Sequence, residues 1–223
     1  VLQQDTLPFQ RDAFAPGTGT PATNVPAEGV NTVTAWLDLS TIYGAEPSFD
    51  LDLQNFDRLA PGGKLAVLST ETGNILTADE TDRAIDGAFE GVGFLSGDAR
   101  VNENSSLVAQ HTLWTRNHNR LADRLAETHP DWTDEQLFQR ARQLNIAQYQ
   151  NVALYEWLPL IVGEDYIDPY ESYDAAIDPQ ITNTFSVAAS QIILTQIGSE
   201  ILRFDANGMP VADGNINILQ DFG

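Results

Sequence analysis

Residues 96–125, SGDARVNENSSLVAQHTLWTRNHNRLADRL, decide how the chain is read. In steps of four and three, Leu107, His111, Trp114, His118, Leu121 and Leu125 fall on one face of an α-helix. The spacing predicts a long amphipathic helix with two of the chain's three histidines on its inward stripe. Just ahead of it stand Arg100 and Glu103, a pair with two readings. Three apart at a helix start, they can form a surface ion pair with the acid near the positive end of the helix dipole, worth under about 1 kcal/mol. Alternatively, the guanidinium points into a pocket where negative charge develops. His111 and His118 are seven residues apart, a rise of about 10.5 Å, too far for one ion to bridge. They read as core histidines bonded to their neighbours.

Downstream, Pro130 ends this helix. Thr133 and Gln136 have capping-box spacing and open a second helix through about Leu158, with Leu137, Ala141, Leu144, Gln148, Val152 and Tyr155 on one side. A third helix is expected from after Asp178-Pro179 to about Ile197. Upstream, residues 1–30 are rich in Pro, Gly and Thr and read as an irregular segment. An apolar short-period run follows from Asn31 to Tyr43. Ser48 can cap a short helix that stops at Pro61-Gly62-Gly63, and KLAVLST and NILTA flank Glu71-Thr72-Gly73 as a small β-hairpin. With no internal repeat or linker, residues 1–223 read as a single, mainly α unit.

Composition narrows the function. A formal charge of −21 on a chain with 10 Phe, 4 Trp and 6 Tyr describes an acidic surface over a folded core. Nucleic acid is excluded as a partner, because 32 acidic side chains against 11 basic ones repel phosphate. Zero cysteines rule out disulfides, thiolate metal sites and thiol nucleophiles. No apolar run reaches the roughly 18 residues of a membrane span. The P-loop, G-x-S-x-G and H-E-x-x-H patterns are absent.

One loop invites a hard cation. In TAWLDLS, residues 34–40, oxygen donors at Thr34, Asp38 and Ser40 and the Trp36 carbonyl follow the alternate-residue spacing by which an extended loop wraps Ca²⁺. The other reading is local turn capping by the hydroxyls beside an exposed Asp.

In order along the chain, TAWLDLSTIYG, GDARVNEN, HTLWTRNHNRLADRL, YEWLPLIVG, YDAAIDPQITNTFSVAA and LRFDANGMP resemble the animal-type haem peroxidase superfamily, the group of myeloperoxidase, peroxidasin and bacterial secreted relatives. The resemblance implies a mainly α, peroxidase-like helical domain with a small β-hairpin. It also implies haem-dependent reduction of hydrogen peroxide with oxidation of a halide or organic donor, a calcium ion, and secretion. It gives Thr34, Trp36, Asp38 and Ser40 to the calcium loop. Arg100 takes the place of the arginine that polarises the peroxide O–O bond, and Glu103 that of the carboxylate that esterifies a haem methyl. His111 and His118 match positions that ligate nothing.

The chain also departs from the pattern. The family's distal histidine, its neighbouring haem-linking aspartate and the last calcium ligand match no residue here, and the helix carrying the proximal histidine's partner is expected beyond Gly223, making this a partial domain. In AASQIILTQIG the family places an arginine, a glycine turn and the proximal histidine where Gln191, Ile193 and Leu194 stand. The alternative is therefore a catalytically inactive relative serving as a calcium-stabilised binding or structural module.

Overall fold

Two long helices and one short one frame the buried core of the described residues, which in this computed structural model are 14–22, 24–31, 33–44, 59–60, 64–65, 97–164 and 169–221. α1 (Ser40–Tyr43) is a single turn, α2 spans Ser105–Thr128 and α3 spans Asp134–Asn151. α2 begins because Asn104, in extended conformation, accepts the Leu107 N–H at 3.0 Å on its side chain. A carboxylate helps from far along the chain: Asp221 accepts both the N–H and the hydroxyl of Ser105 at 2.7 Å. The helix stops at Thr128, ahead of Pro130. α3 opens on the expected capping box, Thr133 and Gln136 exchanging bonds.

The predicted stripe of α2 is the buried one, with His111, His118 and Leu121 inside and Leu107, Trp114 and Leu125 half-buried. α3 follows its predicted stripe only at first. Leu137, Phe138 and Ala141 are buried, but the next inward residue is Asn145, while Gln148, Val152 and Tyr155 are exposed. The helical path continues as a π turn (Val152–Trp157) and α4 (Leu158–Val162). Pro159 gives the reason for the wide turn: in a regular α-helix its ring would press on the carbonyl of residue 155, which it could not satisfy with an N–H.

The predicted third helix is not one α-helix. α5 covers only Asn183–Val187, and after Ala188 the chain tightens into a 3₁₀ segment, Ala189–Gln196. Ser190 and Thr195 turn their hydroxyls back onto the Ser186 and Ile192 carbonyls, at 2.6 Å each, and residues 191–200 are all exposed. A helix without a packed face draws little stability from its periodicity alone.

The fold is mainly α with a small antiparallel hairpin, as expected, but the strands lie elsewhere than the sequence suggests. β1 (Leu59–Ala60) pairs antiparallel with β2 (Lys64–Leu65), Leu59 opposite Leu65, so the helix expected from Ser48 does not run to 60. The rest of that helix and of the hairpin around Glu71 lies outside the described residues. β3 (Glu200–Ile201) pairs with β4 (Ile216–Asn217), a ladder missed in the sequence, and α6 is Ile218–Asp221. Between them Asp205 closes a turn by accepting the N–H groups of Asn207 and Met209 at 2.8 and 2.9 Å, with Gly208 at φ 76°. The irregular N-terminal segment is tied to α5 by Asn183, which bonds Gly29 and Ala27.

The core has two parts. Leu39, Ile42 and Tyr43 from the α1 region meet Val101 and Phe138, backed by Val108, Trp114, Ile146 and Tyr149. Leu121, Ala122 and Ala141 form the second, at the far end of the α2–α3 pair. From Ile146 to Asp221 no described residue is buried.

Gly97 fixes the approach of the segment before α2. A Cβ there would lie 2.5 Å from the Ser40 carbonyl oxygen and 2.7 Å from the Ile42 carbonyl carbon, so backbone meets backbone. Gly97→Ala should destabilise the protein by about 1–3 kcal/mol, because neither side can yield as a side chain would. An unchanged urea midpoint would contradict this contact. Tyr43→Phe should cost about 1–3 kcal/mol by stranding His118 Nδ1, and His118→Phe in the same background should recover part of it; thermal melts of the single and double variants decide.

Candidate functional site

Arg100 lies in a 3₁₀ turn, Ala99–Asn102, directly ahead of α2. Asp98 starts that turn by accepting the Arg100 N–H at 2.9 Å. The same carboxylate takes the guanidinium, with Nε at 3.0 and 3.1 Å from its two oxygens and one terminal nitrogen on Oδ2. Arg100 therefore pairs with Asp98 and not with Glu103, which is exposed and closes the turn through its backbone N–H on the Arg100 carbonyl. The grip is asymmetric. Asp98 is buried while the Arg100 side chain is 60% exposed, so the carboxylate is a fixed anchor and the cation faces outward.

Burial alone would raise the Asp98 carboxyl, but the hydrogen bonds and charge of Arg100 outweigh it and hold Asp98 below the usual carboxylate range. The Asp98 bonds in turn raise Arg100. The sequence carried a signal for this: an Asp two residues before an Arg at a helix start has the spacing to cap the turn and reach the guanidinium.

His111 and His118 sit in the core as expected. His111 donates from Nδ1 to the Leu107 carbonyl, 2.6 Å away, which leaves the lone pair on Nε2, buried and without a hydrogen-bond partner. Burial lowers its pKa against the pull of Leu107 and Asp98. His118 is wholly buried, its Nδ1 2.9 Å from the Tyr43 hydroxyl. That hydroxyl also accepts from Asn145 Nδ2 at 2.9 Å, so one phenol oxygen bonds both side chains. Asn145 spends its other amide hydrogen on the Trp114 carbonyl and accepts from Asn117. Burial pushes the Tyr43 phenol far up, with Asn145 and Arg142 offsetting part of the rise.

The loop 34–40 makes local turns. The Thr34 hydroxyl accepts the Trp36 N–H at 3.1 Å, and Asp38 Oδ1 accepts the Ser40 N–H at 2.9 Å. Ser40 is the first residue of α1, Trp36 is exposed, and Asp38 is half-buried instead of fully exposed. Between Asp38 and Ser40, Leu39 takes a left-handed conformation, φ 54° and ψ 33°, and is buried. Such a backbone costs an aliphatic residue roughly 1–2 kcal/mol. It lets Leu39 enter the core while Asp38 and Ser40 stay outside. Gln150 holds the loop to α3 through the Leu37 carbonyl at 2.8 Å. Through Gly97 packed on the Ser40 carbonyl, the structure brings loop 34–40 beside the Asp98–Arg100 turn. Among the described residues, no three His, Cys, Asp or Glu side chains gather as a metal site.

Leu194 falls in the 3₁₀ segment, 59% exposed, with Gln191 and Ile193 exposed beside it. No lone pair is available at that position.

Residues 2–222 match the animal haem peroxidase family. Dual oxidase 1 of Homo sapiens is 39% identical over 193 residues, 86% of this chain and 12% of that protein. Thyroid peroxidase of Homo sapiens is 34% identical over 222 residues, 90% of this chain and 24% of that protein. The solved structure of peroxidase A from Dictyostelium discoideum superposes with a TM-score of 0.68 at 27% identity, covering 84% of this chain and 36% of that one. The chain thus spans well under half the length of each of them. With the match running nearly end to end, the chain belongs to the animal haem peroxidase family.

Proposed function

We propose that this protein is peroxidase-like in activity: it takes part in haem-dependent reduction of hydrogen peroxide with oxidation of a halide or organic donor. The observation that carries this is the outward-facing guanidinium of Arg100, anchored by the buried Asp98. A fixed cation with several N–H donors favours charge build-up on a departing peroxide oxygen, and anchoring removes the cost of ordering it during the reaction. Glu103, closing the same turn, is the carboxylate available for a covalent link to the haem edge. Secretion and a bacterial source fit the acidic composition. Among the described residues, no helix is long and apolar enough to cross a membrane.

The second reading, a catalytically inactive relative kept as a calcium-stabilised module, is favoured by Leu194. An assay of peroxide-dependent oxidation of bromide and of an aromatic donor, with hemin supplied, separates the two. Turnover that falls about a hundredfold in Arg100→Ala supports the first reading, since a single donor aimed at developing charge is worth about that much. Equal rates in wild type and Arg100→Ala, both at the level of free hemin, support the second.

Either reading includes a calcium ion in the loop of Thr34, Trp36, Asp38 and Ser40. The left-handed Leu39 and the half-buried Asp38 carboxylate support it. An ion that binds only the folded state raises the melting temperature by mass action. Calcium should therefore raise it, chelation should reverse the rise, and Asp38→Asn should remove most of the response. An equal calcium response in wild type and Asp38→Asn would place the ion elsewhere on this acidic surface.

A further inference from the structure

We infer that no described His, Met or Tyr of this chain supplies an axial ligand to a haem iron. The inference rests on family membership and not on the peroxide reading, so each can fail alone. The common axial ligands of haem iron are His, Cys, Met and Tyr. The chain has no Cys, three His, one Met and six Tyr, so the candidates can be taken in turn.

His118 is wholly buried, its Nδ1 committed to Tyr43 and its ring against Phe138 at 4.9 Å between centroids. His111 is the nearest to a ligand, since Leu107 fixes its proton on Nδ1 and directs the Nε2 lone pair away. That Nε2 is nevertheless buried, with no exposed surface for a porphyrin face to meet. One open groove among the described residues, beside α2 and lined by residues that include Leu113, Trp114, Asn117, Gln148 and Val152, contains neither histidine. His129 caps the other end of α2 and stacks on Trp132 at 3.9 Å with an interplanar angle of 7°. The 24 residues of α2 place it roughly 36 Å from the Arg100 end, so an iron there could not share a pocket with that guanidinium.

Met209 is exposed in the turn between β3 and β4, with no apolar shell to hold a thioether on iron. Tyr43 is bonded inside the core, and Tyr149 is half-buried there, packed edge-on against Trp114. Tyr155, Tyr170 and Tyr173 are exposed, and Tyr166 lies outside the described residues. At the one position where the resemblance gives a histidine stands Leu194, in an exposed apolar run with Ile192 and Ile193. An aliphatic side chain has no electron pair to donate.

The test is hemin titration into the unsubstituted 223-residue chain, followed by the Soret band and, after reduction, by resonance Raman spectroscopy. The expected result is no iron–imidazole stretching band and no change beyond that of hemin in buffer. A one-to-one complex without an imidazole band and without a phenolate or thioether signature agrees equally, since the ring is then held without a protein base. An iron–imidazole band that shifts on heavy-nitrogen labelling of histidine overturns the inference, and so does a phenolate or thioether signature. Because labelling leaves the sequence unchanged, that result does not depend on whether His111→Ala or His118→Gln folds.

Discussion

The Tyr43 hydroxyl is the point on which the rest of the described structure turns. It accepts from Asn145 on α3 and shares a hydrogen bond with His118 on α2, so one oxygen joins three helices inside the core. Arg142 lies 5.1 Å above its ring, and Phe138 and His118 meet it edge-on or tilted. Inside a low-dielectric core each of these polar groups is costly if left alone and well satisfied in combination. The network therefore fixes the registry of α2 and α3 as well as adding stability. It then runs outward through Asn117 to Gln148 and Arg120 at the surface.

From that hub, position passes to the candidate site residues by backbone contact. α1 ends in Tyr43, and Gly97 packs onto the α1 backbone where a side chain has no room. The next residue is Asp98, whose carboxylate caps the turn and anchors Arg100. Loop 34–40 feeds α1 from the other side through the strained Leu39. The candidate calcium loop and the candidate peroxide arginine are thus held by one short helix, and displacement of either would be felt at the other.

The described part beyond Asn145 is built differently. It is held by turns, two-residue ladders and side-chain bonds such as Asn183 to Ala27 and Asp221 to Ser105, with no buried residue of its own. The π turn before Pro159 and the 3₁₀ segment before Ile197 are the irregular geometries of a chain with few packed contacts to enforce α periodicity. Leu194 lies in this part, which is why chemistry and not geometry carries the reading of that position.

Much was legible in the residues themselves. The periodicity of α2, the Thr133–Gln136 capping box and the inward histidines depend on local spacing, which sequence records directly. The family's motifs, in order, marked Arg100, Glu103 and the loop 34–40. Other features depend on groups distant along the chain. Asn145 is no part of the apolar stripe that the sequence offers, and only the meeting with Tyr43, 102 positions away, makes it an inward residue. Arg100 was read against Glu103 because both sit at a helix start, whereas the extended backbone of Asp98 aims its carboxylate at the guanidinium. The third helix looked continuous by periodicity, but a helix persists when one face is buried, and burial is a property of the tertiary structure. Composition alone, by contrast, settled which side chains could ever meet an iron; the fold decided that the histidines among them are already engaged, sealed or far from Arg100.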